Sequence, residues 1–332
     1  MQTQALAGVL LACFGLAACT SGPGMADLMP RPSLEMTSSI SRPAEPAPKL
    51  AAATLNPRQE ADAGTLAKDA VEPQQVGAAL AIALPEGRPG RAASALEREI
   101  QAHRFKDAKP INFGSKKPQD YAVHGVDVSR WQGDIDWQKL RGQGANFVYI
   151  KATDGGDHLD PMFRKNWREA NAAGLKRGAY HFFYWCRDAA SQADWFIRNV
   201  PKDANALPPV IDVEWNHQSA CKKRPSREKV LAKMQVFMDR LEAHYGQRPV
   251  IYTAPDFYGD NLKGAFPDYP FWLRAVAQHP SKVYPGRKWV FWQYSGSGLS
   301  TGVKGRIDLN VFHGSAAEWH RWVDHQERIA AN

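Results

Sequence analysis

Apolar runs rich in β-branched and aromatic residues alternate with helical patterns from Tyr121 onward. Five of these runs have the length of strands: Val123–Val128, Phe147–Ala152, Gly178–Tyr184, Leu207–Glu214 and Pro249–Thr253. The stretches between them show helical patterns near Trp137–Arg141, Phe163–Ala173, Ala189–Asn199 and Arg227–Tyr245. Strands that alternate with helices predict right-handed crossover units and a parallel sheet.

Three further apolar runs predict strands closer to the carboxyl end, at Phe271–Val276, Trp289–Tyr294 and Ile307–Phe312. The intervals between them are rich in Gly and Pro and too short for full helices. Eight strands, five of them with helical crossovers, predict an α/β fold: an irregular TIM-like barrel of the (β/α)5(β)3 type. In a TIM barrel the active site lies at the C-terminal ends of the strands, which gives a criterion for choosing candidate residues.

The amino-terminal end has the pattern of an export signal. An apolar run from Ala5 to Ala18 is too short to span a membrane, and it ends in Leu16-Ala17-Ala18-Cys19. We therefore interpret residues 1–18 as a signal peptide. The last four residues also resemble a bacterial lipobox, which implies a lipid anchor on Cys19. Thr20 then implies an outer-membrane lipoprotein that faces the periplasm, and an ordinary secretory signal with an incidental cysteine is the alternative.

The chain from residue 19 to residue 119 is rich in Pro, Ala and Ser and has almost no aromatic residues. Such a composition buries too little apolar surface to offset the entropy of ordering, so it predicts a disordered tether. The predicted organisation is a signal peptide at 1–18, a lipid-anchored linker at 19–119, a catalytic barrel at 120–325 and a tail at 326–332.

Composition narrows the class of partner. The formal charge of +8 favours an anionic partner, but the Lys and Arg residues are scattered and no nucleic-acid-binding signature is present. Beyond Cys13 and Cys19, the remaining cysteines are Cys186 and Cys221. In an exported protein they predict one disulfide, with two buried free thiols as the alternative, and they lack the spacing of metal ligands.

Four acidic residues meet the barrel criterion, because each lies in or beside an apolar strand: Asp127, Asp212, Glu214 and Asp308. Residues i and i+2 of a strand point to the same face, so Asp212 and Glu214 are expected to project together while Val213 packs outward. Two neighbouring carboxylates push each other's pKa apart, so that one can act as a general acid while the other stays an anion. Glycoside hydrolysis uses this division of roles.

Several collinear motifs resemble the glycoside hydrolases of family 25, the Chalaropsis-type lysozymes. They are Asp127-Val-Ser-Arg-Trp131-Gln-Gly133, Phe147-Val-Tyr-Ile-Lys151-Ala-Thr153-Asp154-Gly155, Gly178-Ala-Tyr180-His181-Phe182, Asp212-Val-Glu214, Ile251-Tyr252-Thr253, Phe271-Trp272-Leu-Arg274, Trp292-Gln293-Tyr294 and Asp308-Leu-Asn310. The resemblance covers about residues 122–322 and implies hydrolysis of the β-1,4 bond between N-acetylmuramic acid and N-acetylglucosamine of peptidoglycan glycan strands. No cofactor or metal is implied.

The resemblance also implies roles for individual residues. Glu214 corresponds to the proton donor and Asp212 to the second carboxylate. Asp127 and Asp308 correspond to further acids of the cleft, and the substrate-binding candidates are Tyr180, Tyr252, Trp272 and Gln293. Trp292 is a second candidate sugar platform, whereas His124 and His181 are expected to make structural hydrogen bonds.

Alternatives remain for the mechanism and for the activity. Asp212 could attack the sugar directly or orient the substrate's own N-acetyl group, and inversion through a water at Asp308 or Asp127 is a third route. Two other functions are open: a non-catalytic peptidoglycan-binding lipoprotein, and a chitinase-like hydrolase on the same fold. The sequence does not fix the oligomeric state.

Overall fold

The computed structural model describes residues 98–216, 221 and 223–331. Its strands are β1 (Lys106–Asp107), β2 (His124–Val128), β3 (Phe147–Asp154), β4 (His158–Leu159), β5 (Lys176–Phe182), β6 (Val210–Val213), β7 (Val250–Thr253), β8 (Phe271–Arg274), β9 (Phe291–Leu299) and β10 (Arg306–Phe312). Its helices are α1 (Trp137–Gly142), α2 (Phe163–Ala172), α3 (Ala189–Asn199), α4 (Arg227–Tyr245), α5 (Pro255–Phe257), α6 (Pro280–Val283) and α7 (Ala316–Ala331). The proposed signal peptide and Cys19 lie outside the described residues.

Eight of the strands close into a barrel, in the order β2-β3-β5-β6-β7-β8-β9-β10. Neighbouring strands from β2 to β9 pair in parallel, and β10 pairs with both β9 and β2 to close the ring. The predicted (β/α)5(β)3 barrel is therefore confirmed. All eight predicted strands and all four predicted helices are present, with bounds that differ by a few residues.

The last strand runs opposite to the others. Strand β10 is antiparallel to both neighbours, because only residues 300–305 separate it from β9 and so short a connection forms a hairpin. Its amino-terminal end consequently lies at the same end of the barrel as the C-terminal ends of the other strands. This end is called the mouth below, and the opposite end the floor.

The helices cover the outer face of the barrel, as their apolar positions require. On α4, Val230, Met234, Phe237 and Leu241 recur every three to four residues and are fully buried. The helix ends at Gly246, whose φ of 72° is a left-handed conformation suited to glycine. Since β-strand side chains alternate between faces, the same sheet supplies an outer core against the helices and an inner core within the barrel.

Aromatic side chains fill the floor of the barrel. Phe147, Phe291 and Phe312 pack around Trp319 of α7, which closes this end. Further up, a Cβ atom on Gly178 would lie 2.2 Å from Cε1 of Tyr149, so the glycine makes room for that ring. Aromatic side chains therefore fill much of the inner core between the floor and the acidic residues.

The folded head extends beyond the predicted bounds at both ends. Residues before 120 are not all linker, because β1 pairs with the end of β9 and Phe105 is buried in the outer core. Gln101 and Asn146 exchange hydrogen bonds of 2.7 and 3.0 Å, which fastens this segment to the start of β3. At the other end α7 continues through Ala331, so the predicted tail at 326–332 is helix except for the last residue, which is not described. These elements depend on contacts with residues distant in the sequence, which the local pattern at either boundary does not record.

Within the described part of the chain, none of the helices combines the length and the apolar character that crossing a membrane requires.

Candidate active site

The four acidic residues singled out from the sequence come together at the mouth. Asp127 lies on β2, Asp212 on β6, Asp308 on β10, and Glu214 directly follows β6. Each residue is at most 5% exposed. Asp308 faces Asp127 across the β10–β2 pair, and their side chains are hydrogen-bonded. The reversal of β10 is what places Asp308 beside the others.

Asp212 and Glu214 project to the inside of the barrel, while Val213 between them packs in the outer core as predicted. Burial and the neighbouring Glu214 raise the pKa of the Asp212 carboxyl well above its usual range, and Asp127 adds to this effect. Among the described residues, no hydrogen-bond donor reaches Oδ1 of Asp212.

Asp127 is held in a hydrogen-bond network that spans the barrel. Its Oδ2 accepts hydrogen bonds from Nε2 of Gln293 at 2.9 Å and from Nδ2 of Asn310 at 2.7 Å. Tyr252 donates through its hydroxyl to Oε1 of Gln293 at 2.9 Å, and Trp272 donates through Nε1 to Oδ1 of Asn310 at 2.8 Å. Burial raises the pKa of Asp127 to about 6, although hydrogen bonds from Asn310, Gln293 and Asp308 oppose the shift.

The network explains where three of the four predicted sugar-contacting residues lie. Tyr252, Trp272 and Gln293 are each at most 2% exposed and all take part in it. Trp272 also stacks on Tyr149, with ring centroids 5.0 Å apart. These side chains therefore position Asp127, Gln293 by a direct hydrogen bond and the two aromatic residues through Gln293 and Asn310. Tyr180 is 5% exposed; burial raises the pKa of its hydroxyl well above the usual value, and the charges of nearby Asp127 and Asp212 add to the rise.

The suggestion that Trp292 is a sugar platform is wrong. Its side chain points away from the barrel interior and is fully buried in the outer core, where Phe113 and His279 pack edge-on against it. Trp272 and Trp292 belong to adjacent strands, and only the tertiary structure decides which of the two faces inward.

Three further residues of the mouth were not identified from the sequence: Asn310, Lys151 and Arg274. Asn310 connects Asp127 to Trp272, as described above. The Lys151 ammonium lies 2.8 Å from Oδ2 of Asp154, and its charge partly offsets the rise in the pKa of Asp212. Arg274 is buried at the end of β8, and its charge opposes the rise in the pKa of Tyr252. Each lies in one of the motifs shared with family 25. Because residues i and i+2 of a strand share a face, their inward position could have been predicted from Tyr149, Trp272 and Asp308, which each lie two residues earlier.

The loops around the mouth are fixed by a disulfide and by tryptophans. Cys186 and Cys221 form the predicted disulfide, with Cα atoms 5.5 Å apart, and so join the loop after β5 to the loop after β6. Trp185 donates a hydrogen bond of 3.0 Å through Nε1 to the backbone oxygen of Glu214. This hydrogen bond from the loop after β5 therefore helps to fix the backbone position of Glu214.

The histidines near the mouth and floor have structural roles, as expected. His181 is buried, with Nδ1 2.7 Å from Oγ1 of Thr153 and Nε2 3.2 Å from Oε1 of Gln192. Burial lowers its pKa to about 4, which keeps the ring neutral near pH 7. His124 lies at the floor end of β2, with Nδ1 3.3 Å from the hydroxyl of Tyr294.

Among the residues that the structure describes, no group of three or more His, Cys, Asp or Glu side chains is arranged to hold a metal ion.

An Asp-x-Glu pair on one strand of a barrel, with further carboxylates beside it and the whole set at the C-terminal ends of the strands, is the arrangement of a carboxylate-dependent glycoside hydrolase. The sequence profile of glycosyl hydrolases family 25 matches residues 126–303. The chain belongs to this family.

Known proteins agree with this assignment. A family 25 glycosyl hydrolase from Bacillus anthracis is 40% identical, with a TM-score of 0.59 over 64% of this chain and 99% of that one. A bacterial lysozyme from Streptomyces coelicolor is 35% identical, with a TM-score of 0.55 over 63% of this chain and 98% of that one. Lysozyme M1 from Streptomyces globisporus is 37% identical over 59% of this chain and 69% of its own length.

Proposed function

We propose that this protein is a lysozyme, a peptidoglycan hydrolase that cleaves the β-1,4 bond between N-acetylmuramic acid and N-acetylglucosamine. The observation that carries the proposal is the Asp212–Glu214 pair at the mouth of a family 25 barrel. Relatives of this chain that bear the name lysozyme support the choice of substrate.

Glu214 is the proposed proton donor. It transfers its proton to the glycosidic oxygen as the bond from that oxygen to the anomeric carbon breaks, which leaves positive charge on the sugar. The hydrogen bond from Trp185 to the Glu214 backbone supports this role, because general acid catalysis needs a fixed carboxyl within hydrogen-bond reach of the leaving oxygen.

Asp212 is proposed to orient the substrate's N-acetyl group, whose carbonyl oxygen attacks the anomeric carbon. Residues i and i+2 of one strand lie side by side, with Cα atoms about 6.5–7 Å apart, rather than on opposite sides of a sugar. This placement favours assistance by the substrate over direct attack by Asp212. A water that gives its proton to Glu214 then opens the cyclic intermediate and restores the acid, with retention at the anomeric carbon.

Asp127 and Asp308 are proposed to complete the anionic surface that stabilises the positive charge on the sugar. Their hydrogen-bonded contact and the raised pKa of Asp127 support a pair that shares a proton at acidic pH. Tyr180, near both Asp127 and Asp212, is the proposed residue for direct sugar contact.

We place the protein in the bacterial envelope as an exported lipoprotein anchored through Cys19, with its head in the periplasm. This proposal rests on Leu16-Ala17-Ala18-Cys19 and on Thr20. Mass spectrometry of the protein purified from membranes tests it: a diacylglyceryl group on an amino-terminal Cys19 is expected, and a mature chain without lipid would overturn it.

The activity is tested by incubating the protein with purified peptidoglycan and identifying the soluble fragments by mass spectrometry. Fragments that end in reducing N-acetylmuramic acid are expected. Intact glycan with tight co-sedimentation would indicate a binding protein, and cleavage of chitin at a comparable rate would indicate the chitinase-like alternative.

Two variants test the assignment of the acids. Glu214→Gln and Asp212→Asn should each lose about 10²- to 10⁴-fold in turnover, the range expected for a positioned acid or base. The matched control is Glu228→Gln on α4, whose side chain is exposed. Turnover within a factor of two of wild type in either test variant would refute its assignment, provided that the melting temperature is unchanged.

A further inference from the structure

A second cleft, of about 640 Å³, opens at the floor of the barrel. It is bounded by the end of α4, the loop that leads into β8, the residues before β9 and the second half of α7. All of these lie at the N-terminal ends of the parallel strands, so the cleft is on the face opposite the acidic residues. We call it the distal cleft.

The distal cleft combines aromatic rings with charged and amide groups. Its half-buried rings are Tyr269, Trp289 and Trp322. Its polar groups are Glu242, Arg248, Asp268, Lys288, His325 and Gln326. An apolar helix or a lipid chain would leave most of these polar groups without partners, whereas a carbohydrate presents both C–H faces and hydroxyl groups.

The rings of the distal cleft are held in place by packing. Trp322 lies nearly parallel to Trp319, with centroids 5.9 Å apart and an interplanar angle of 26°, and meets the ring of Phe291 edge-on at 5.5 Å. Trp289 packs on His313, with centroids 4.3 Å apart. Rings that are already fixed lose little conformational freedom on binding, so they can serve as platforms for a sugar.

Arg248, one of the polar groups of the distal cleft, is also held in a fixed position by its neighbours. The Arg248 guanidinium lies over the ring of Tyr269, with its carbon 5.1 Å from the centroid. It also donates to Oε1 of Glu242 and to the backbone oxygen of Asp268, each at 3.3 Å. Exposed Lys288, shortly before β9, adds a second cation to the cleft. Two cations suit the carboxylates of the peptides that peptidoglycan carries.

We infer that the distal cleft binds a second glycan strand of peptidoglycan while the mouth cleaves another. This inference rests on the proposed function, which makes the substrate a polymer with many strands within reach. Binding at a second site holds the enzyme on the polymer and raises the effective concentration of bonds at the mouth. The benefit exists only for the insoluble polymer, because a short soluble fragment cannot occupy both sites.

The experiment compares hydrolysis of insoluble peptidoglycan with hydrolysis of a soluble glycan fragment of four sugars. The test variants are Lys288→Glu and Trp322→Ala, and the control is Lys282→Glu, which makes the same change of charge at an exposed position of α6 that does not line the distal cleft. Because Trp322 also packs against the floor, melting temperatures are measured for each variant and Lys288→Glu carries the test if Trp322→Ala unfolds.

We expect the test variants to lose about 3- to 10-fold in kcat/KM on the insoluble polymer and nothing on the fragment, as for the loss of one contact at a binding surface. Equal rates of wild type and Lys288→Glu on both substrates would overturn the inference and leave the proposed function standing. An equal loss on both substrates would also overturn it, because the cleft would then act through the fold. A wild type that cleaves neither substrate would overturn the proposed function itself.

Discussion

Removal of the Cys186–Cys221 disulfide should lower the free energy of unfolding, because the bond restricts the unfolded chain. The bond closes a loop of 35 residues that contains β6, Asp212 and Glu214. In the chain-entropy treatment, a cross-link over a loop of this length restricts the unfolded chain by about 4 kcal/mol. The variant Cys186→Ser/Cys221→Ser should therefore lose up to about 4 kcal/mol of unfolding free energy.

In a domain of this size, 1 kcal/mol shifts the melting temperature by roughly 2–4 °C, so the expected drop is roughly 8–16 °C. Differential scanning calorimetry under oxidising conditions measures it. Turnover should also fall at temperatures below the transition. Trp185 donates a hydrogen bond to the backbone of Glu214, and without the disulfide the loop that carries Trp185 loses its covalent link to the loop after β6.

A reducing agent provides the matched control. It should lower the melting temperature of the wild type toward that of the double variant, and it should leave the double variant unchanged. A double variant that melts within about 2 °C of the wild type would refute the reasoning, since the tryptophan contacts alone would then hold the two loops together.

Three further perturbations follow from the structure. Asp127 ionises near 3.8 when unfolded and at about 6 when folded, so the free energy of unfolding falls as the pH rises between these values. Urea unfolding at several pH values should show a fall that is larger by about 3 kcal/mol in the wild type than in Asp127→Asn, because other buried carboxyls such as Asp212 contribute to both; parallel curves would contradict it. Gly178→Ala places a methyl group against Tyr149 and should cost about 1–3 kcal/mol or more, whereas Gly156→Ala meets nothing within 4 Å and serves as the control. A chain that begins at residue 121 loses buried Phe105 and β1, and should be less stable by at least about 3 kcal/mol than one that begins at residue 98; equal melting temperatures would contradict this.

Much of the candidate site was predictable because its determinants are local. Side chains two residues apart on a strand share a face, so the sequence Asp212-Val213-Glu214 already indicates two carboxylates that point the same way and an apolar residue that packs outward. Likewise, the apolar spacing along α4 indicates which side of the helix is buried. Such patterns depend on backbone geometry over a few residues and on nothing further along the chain.

The support around the acids could not be predicted in the same way. Asp127 receives hydrogen bonds from Gln293 and Asn310, which are more than 160 residues away in the sequence. Whether they meet depends on the closure of the ring between β10 and β2, and no local pattern records that pairing. The inward position of Trp272 and the outward position of Trp292 go with the pairing of β8 and β9, in which Trp292 lies beside outward-facing Leu273.

The sequence by itself therefore determined the alternation of strands and helices, the acidic pair, the two cysteines that meet and the resemblance to a family. The tertiary structure decided the reversal of β10, the contact of Asp308 with Asp127, the attachment of the segment around Phe105 to the barrel and the existence of the distal cleft. The physical reason is the distance along the chain over which each effect acts. Propensity and periodicity act over a few residues. Strand neighbours, burial and the pKa of a carboxyl depend on parts of the chain that only folding brings together.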